Sequence, residues 1–217
     1  ASTSRFILSR KRGNALGSLV YIRRSNDVIP EILGKATDAN DGKPIEVPTH
    51  CPACNSELVQ LGAHLFCENK QNCAPQIIGR ITQVASRDGM DIETFSVKTT
   101  TQLYKTLDLH DPADLYDLTY DDLIELERFG DKKTRNLLDA IERSKQRDLS
   151  AFLYALGIPN TGRTTTRALA EHYGNLEAIR NASMEELMTI PDIGAIVAES
   201  IVTFFQDEQN ARSIDRM

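Results

Sequence analysis

Apolar residues follow two different spacings along this chain. Over residues 1–33 they come in short runs rich in β-branched and aromatic types, Arg5-Phe-Ile-Leu-Ser-Arg-Lys-Arg12 and Leu19-Val-Tyr-Ile-Arg-Arg24, separated by Gly13-Asn14 and Gly17-Ser18. This pattern predicts strands and turns. The strands are too few to close a barrel, so a satellite sheet or a barrel without its earlier strands is expected. Residues 34–48 are polar and rich in Gly, Asn, Asp and Pro, the composition of a linker or long hairpin. From about residue 77 the spacing turns helical and stays so to the end.

The helical part repeats itself. Thr119-Tyr-Asp-Asp-Leu123-Ile-Glu-Leu126-Glu-Arg-Phe129-Gly130 matches Ser183-Met-Glu-Glu-Leu187-Met-Thr-Ile190-Pro-Asp-Ile193-Gly194 at an offset of 64. Each copy opens with a helix N-cap: Ser183 with Glu186 predicts a capping box, and Thr119 with Asp122 a weaker one. A second pair, offset by 66, aligns residues 96–103 with 162–169, so Ser96, Gly130, Gly162 and Gly194 recur every 32 to 34 residues. Such a period predicts a tandem array of one unit. In each unit a helix ends in a tight hydrophobic turn and a second begins at once, as in Asp131-Lys-Lys-Thr-Arg-Asn-Leu-Leu, with apolar residues at 137, 138 and 141. This is a helix-hairpin-helix outline. A glycine at the tip admits close approach of a ligand, and the next helix offers unpaired N–H groups and its positive dipole end. A single copy reads equally well as a helical hairpin with a capping glycine, whereas four in register favour phosphate binding. Valine at Gly162 is expected both to block a phosphate and to strain the turn.

All four cysteines lie in one stretch, Cys51-Pro-Ala-Cys54, twelve residues, Cys67, five residues, Cys73. Two close pairs with a short spacer let four thiolates converge tetrahedrally on one zinc ion. Two disulfides, or four unrelated core cysteines, are the alternatives. Zinc is favoured because no secretory signal precedes the cysteines. Four thiolates close the coordination shell, so a structural Zn2+ is expected, supplying stability to a segment too short for an adequate core.

Charge changes the picture in one respect. The net charge is −6, yet Lys and Arg outnumber Asp and Glu by 8 to 5 over residues 1–50 and are outnumbered 14 to 23 over residues 91–217. Arg5, Arg10, Lys11, Arg12, Arg23 and Arg24 together suggest a phosphate-facing surface, although each singly reads as a solvated residue. The acidic array must bind anions through backbone N–H groups instead. No apolar run is long enough to span a membrane. The opening Ala-Ser-Thr-Ser carries neither an initiator Met nor a signal peptide, as expected of a fragment.

Over essentially its whole length the chain resembles bacterial NAD-dependent DNA ligase. The matching stretches are Val20-Tyr-Ile-Arg-Arg-Ser-Asn-Asp-Val-Ile-Pro30, Pro48-Thr-His-Cys-Pro-Ala-Cys54 with Cys67 and Cys73, Ala85-Ser-Arg-Asp-Gly-Met-Asp91, and Phe152-Leu-Tyr-Ala-Leu-Gly-Ile158. The resemblance implies a multidomain, mainly α fold. Residues 1–47 would be the end of an OB-fold with its linker, 48–76 a four-cysteine zinc finger, and 77–217 an all-α tandem array of four helix-hairpin-helix repeats. It further implies part of a monomeric, cytoplasmic, nucleoid-associated enzyme that closes around nicked duplex DNA in replication and repair. That enzyme uses NAD and Mg2+ to adenylate its own lysine, passes AMP to the 5′-phosphate and seals the strand.

Several features depart from that pattern. No Lys-x-Asp-Gly motif is present, so the nucleophilic lysine and the NAD pocket are expected outside this chain, and the fragment alone should be inactive. The family's Gly-x-Gly turn reads Thr94-Phe-Ser96, Arg128-Phe-Gly130, Asn160-Thr-Gly162 and Asp192-Ile-Gly194, the first glycine always replaced. The first hairpin, with Phe95 at its tip, is as much a packing element as a phosphate site. Expected DNA contacts are Gly130, Lys132, Lys133, Gly162, Arg163 and Thr164, then Gly194 beside the ill-placed Asp192, with Arg10, Lys11, Arg12, Arg23 and Arg24. The alternative is a free-standing, non-enzymatic helix-hairpin-helix and zinc module of a repair assembly.

Overall fold

A computed structural model describes residues 14–25, 29–36, 42–62 and 64–217. Arg5, Arg10, Lys11 and Arg12 therefore lie outside the described residues. The chain divides into two compact units, Ala1–Cys73 and Ala74–Met217.

Among its described residues the first unit holds two antiparallel strand pairs. β1 (Val20–Ser25) pairs with β2 (Ile29–Lys35), and the register shifts between Tyr21 and Ile22, a bulge in the ladder. Tyr21, Ile22 and Leu33 stay largely exposed, so this ribbon is held by backbone pairing more than by a core of its own. Across the ribbon Arg23 donates through Nε and Nη2 to Glu31 at 3.1 and 3.0 Å. β3 (Leu58–Leu61) and β4 (His64–Cys67) form the second pair, with Leu58 opposite Cys67.

The second unit is helical throughout its described residues: α1 (Ala74–Val84), α2 (Val97–Leu107), a 3-10 turn (Pro112–Asp117), α3 (Tyr120–Ile124), α4 (Asp131–Ser144), α5 (Leu149–Leu156), α6 (Arg163–Tyr173), α7 (Leu176–Arg180), α8 (Met184–Leu187), α9 (Ala195–Gln206) and α10 (Glu208–Arg216). The short helices α3 and α8 are fixed at their starts by reciprocal capping boxes, Thr119 with Asp122 and Ser183 with Glu186. The first of these is complete, not a weaker form: the shorter Asp122 side chain still reaches the Thr119 amide at 2.9 Å. Those amide bonds, with the bonds from the cap hydroxyls, hold both carboxyls below their usual pKa.

Two hydrophobic cores run through this unit. One gathers Ile77, Ile81, Ile92, Leu103, Leu123, Leu126 and Leu137, the other Leu153, Ile158, Leu169, Leu187, Ile190 and Ile201. Phe152 packs against both. At the end of α10, Arg216 reaches Asp114 and Asp117 of the 3-10 turn at 2.9 and 2.7 Å, tying the second half to the first. The four repeats are thus paired, first with second and third with fourth.

Candidate functional site

The four turns are built alike. In each, an amide three residues on donates to the carbonyl of a buried aliphatic residue: Phe95 to Ile92 (3.3 Å), Phe129 to Leu126 (3.0 Å), Thr161 to Ile158 (3.3 Å) and Ile193 to Ile190 (3.2 Å). The third residue of each turn is left-handed, with φ of 67° at Thr94, 63° at Arg128, 60° at Asn160 and 66° at Asp192. A positive φ at the third position is what a type II turn requires, and Pro159 and Pro191 occupy the second position where such a turn favours proline. These four residues are the replaced first glycines. The backbone keeps the glycine conformation without the glycine, at roughly 1–2 kcal/mol for each ordinary side chain held there. Each hairpin also buries a turn aliphatic and a helix residue, Leu103, Leu137, Leu169 or Ile201, at about 1.5–3 kcal/mol apiece. Burial outweighs the strain.

The second glycine has a different job. Gly130, Gly162 and Gly194 are the N-caps of α4, α6 and α9, with φ of −113°, −113° and −88°, a backbone open to any residue. A Cβ added at any of the three would meet no atom within 4 Å. The turn itself therefore does not require these glycines, and the strain expected of valine at Gly162 is absent. What the glycines provide is bare backbone at a helix start with no side-chain cap. Amides of the first turn are left for an outside acceptor, and the helix dipole favours an anion there. The first hairpin differs at this point. Ser96 caps α2 with its own hydroxyl, accepting from the Thr99 amide at 3.3 Å, while Phe95 packs against the first core.

The side chains around the tips vary. Beside Gly130, Lys132 is exposed, but Lys133 lies over the Phe129 ring at 3.6 Å and burial pulls its pKa down. Asp131 occupies the first helical position. Its carboxylate accepts from the Tyr120 hydroxyl at 2.8 Å and from Arg135 at 2.9 Å, which hold its pKa down. Beside Gly162 no acid stands in the first turn of α6, Thr164 is exposed, and Arg163 meets Asp88 at 2.9 Å. Beside Gly194 the first turn carries neither acid nor base, and Ile196 is 71% exposed. Arg24 is exposed, while Arg23 is engaged by Glu31.

The cysteines converge as their spacing predicts. Cys51 and Cys54 sit in a tight knuckle closed by the Asn55 amide on the Cys51 carbonyl at 2.8 Å, with Asn55 itself at φ 60°. Cys67 ends β4, and Cys73 is fixed by its amide on the Asn69 carbonyl at 3.2 Å. All four Sγ atoms lie within 4.8 Å of one another. Sulfurs on the corners of a zinc tetrahedron with bonds of about 2.3 Å stand about 3.8 Å apart. The Cys51–Cys73 and Cys54–Cys67 pairs are 3.9 and 3.5 Å apart, which suits a shared metal and lies far beyond a disulfide bond of about 2 Å. Hydrogen bonding from the Ser56 hydroxyl and amide lowers Cys54 to about 6, so its sulfur is ready as a thiolate, whereas burial raises Cys67. The Ser56 hydroxyl is oriented by Asn69, which donates to it at 3.0 Å. Four converging sulfurs can hold a metal such as zinc.

Among the described residues no helix is long and apolar enough to cross a membrane. A family model described as a helix-hairpin-helix motif matches residues 151–214, the third and fourth hairpins. The chain is 56% identical over 203 residues to a DNA ligase of Alkaliphilus oremlandii, which is 93% of this chain and 31% of that protein. It is likewise 56% identical over 201 residues to a DNA ligase of Alkaliphilus metalliredigens, 92% of this chain and 30% of that one. A DNA ligase of Clostridium novyi is 49% identical over 208 residues, 95% of this chain and 31% of its own length. The chain thus spans about a third of the curated relatives it matches.

Proposed function

We propose that this chain, which belongs to the DNA ligase family, grips the backbone of duplex DNA for an NAD-dependent ligase that seals nicks, through the open helix starts at Gly130, Gly162 and Gly194. The observation that carries this reading is the fourfold turn. One backbone geometry recurs at Thr94, Arg128, Asn160 and Asp192, and in three copies it delivers an uncapped helix N-terminus behind a bare glycine. A helix start of that kind binds phosphate oxygens without lysines, which reconciles an acidic array with a polyanionic ligand. Lys132, Arg163 and Thr164 add donors beside the tips, and exposed Arg24 is a further phosphate donor on the first unit. The β1–β2 ribbon belongs to an OB-fold in this reading, and the whole enzyme works as a cytoplasmic monomer with Mg2+. Adenylation is assigned to the part of the ligase outside this chain, which contains no Lys-x-Asp-Gly motif.

Phosphate contacts position a protein without reading bases. Fluorescence anisotropy of labelled duplexes of unrelated sequence, nicked and intact, is the test. The expected result is equal affinity across sequences, tighter binding to the nicked duplex, and a steep loss of affinity with salt. A base-sequence preference with no salt dependence would overturn it.

In the first unit Cys51, Cys54, Cys67 and Cys73 hold one structural zinc as thiolates. The metal supplies on the order of 10 kcal/mol to a segment of this size, so chelation should unfold the finger rather than merely empty it. Elemental analysis is expected to find one zinc per chain. A metal-free protein with the β3–β4 amides still protected from exchange would refute the assignment.

A further inference from the structure

The stretch Ala85–Asp91 has no part in the function proposed above, yet it is tightly placed. A Cβ at Gly89 would come 2.8 Å from the Val84 carbonyl, 3.0 Å from that of Gln83 and 3.1 Å from the Ala155 Cβ, so only glycine lets the loop lie this close to α1 and α5. Its carbonyls bind an arginine: Arg147 donates through Nε to Gly89 at 3.2 Å and through Nη2 to Arg87 at 3.5 Å. Its carboxylate, Asp88, holds Arg163 at 2.9 Å.

These groups face one hollow of about 130 Å3, lined by Asp88, Arg147, Asp148, Arg163, Thr166 and Arg167 among others. Three guanidinium groups, two from α6 and one from the connection before α5, thus meet two carboxylates. Asp148 is already engaged as the N-cap of α5, accepting from the Ala151 amide at 2.9 Å and the Ser150 hydroxyl at 2.7 Å. Arg147 acts on the Asp148 carboxylate through space, yet among the described residues neither Arg147 nor Arg167 has a carboxylate within ion-pair distance. The hollow is therefore cationic in its unmatched charge. It has room for a phosphate group and directly adjoins the tip at Gly162 through Arg163.

We propose that this hollow takes a DNA backbone phosphate adjacent to the one gripped at Gly162, with Arg147, Arg163 and Arg167 as its donors and Asp88 as the counter-charge it displaces from Arg163. Planar guanidinium forks match phosphate oxygens in pairs. The Asp88–Arg163 bridge is solvent-exposed, and such a bridge contributes little to stability, so a phosphate can replace it readily. The inference rests on the DNA-binding reading and adds a second anchoring point to it.

Anisotropy titrations of the whole chain with labelled duplex, at several salt concentrations, test it with Arg167→Gln, Asp88→Asn and Gly162→Val. Arg167→Gln is expected to weaken binding several-fold for every sequence and to lower the salt slope by about one. Asp88→Asn is expected to tighten binding, because Arg163 is then unopposed. Opposite signs from two neighbouring substitutions exclude a shared folding defect. If both variants bind like the parent while Gly162→Val binds weakly, the hollow is overturned and the hairpin reading stands. If Asp88→Asn weakens binding, the bridge is structural and the displacement is wrong. If the parent itself shows no salt-dependent binding, both readings fall together.

Discussion

The first and third hairpins share one backbone and differ in what they offer to a ligand. Thr94 and Asn160 have φ of 67° and 60°, the same turn hydrogen bond follows each, and the helices beyond bury Thr100 and Leu103 in one case and Thr166 and Leu169 in the other. At the next position they part. Ser96 closes its helix start with its own hydroxyl, whereas Gly162 leaves the start bare. The difference separates two properties that a Gly-x-Gly turn merges: the first position sets the conformation of the turn, and the second sets its accessibility. An array can lose the first glycine everywhere and remain an array.

The largest expected effect lies at the accessible position. Gly162→Val should lower DNA affinity about tenfold, or roughly 1.4 kcal/mol, by covering one phosphate approach. The melting temperature should stay near that of the parent, because φ of −113° suits valine and a Cβ there meets nothing within 4 Å. Ser96→Val removes a cap and should destabilise the protein by about 1 kcal/mol while leaving DNA affinity unchanged. Isotherms and thermal melts of the two variants, measured in parallel, break the comparison if they give the same pair of results.

A smaller effect is expected at the conformational position. Thr94 is β-branched and held left-handed, a strained combination, whereas asparagine visits that region readily. Thr94→Gly should therefore stabilise the protein by about 0.5–1 kcal/mol, the relief of strain less the greater freedom of glycine in the unfolded chain. Asn160→Gly should gain nothing and lose the 2.8 Å bond from Asn160 to Ser200. Equal responses to denaturant in the two variants would show that burial sets the turn energy regardless of residue type.

Much of this was legible in the sequence. The offsets of 64 and 66 located all four hairpins, the spacing of Ser183 and Glu186 gave a helix start, and the cysteine spacing gave the cluster. At Thr94 and Arg128 the left-handed conformation was not legible, since threonine and arginine avoid it locally and are held in it by the burial of Ile92 and Leu126 on the preceding turns, whereas Asn160 and Asp192 are residue types that visit it readily. Side-chain partners far apart in sequence were equally hidden: Arg163 finds Asp88 and Arg216 finds Asp114 only once the helices have packed. The stacking of Lys133 on Phe129 is a local contact four residues apart, and that spacing across the start of a helix was a usable signal.

The smallest expected effect, at Thr134, concerns a position where the repeats agree in burial but not in chemistry. Four residues into each repeat from its helix cap stand Thr100, Thr134, Thr166 and Ala198, all buried. The Thr166 hydroxyl donates to the Arg163 carbonyl at 3.1 Å, while Thr100 bonds both the Ser96 carbonyl, at 3.1 Å, and Thr82, at 3.0 Å. The Thr134 hydroxyl is buried with no partner among the described residues. Removing an unmatched buried hydroxyl relieves a desolvation penalty, whereas removing a bonded one forfeits about 1 kcal/mol. Thr134→Val should accordingly leave stability within about 0.5 kcal/mol of the parent or raise it, and Thr166→Val should lower it by about 1 kcal/mol. Ala198 at the fourth equivalent position shows that the hairpin folds without a hydroxyl there. Chemical denaturation of the two valine variants decides the matter, and a loss at Thr134 as large as that at Thr166 would mean that its hydroxyl is bonded in solution, for instance to a buried water.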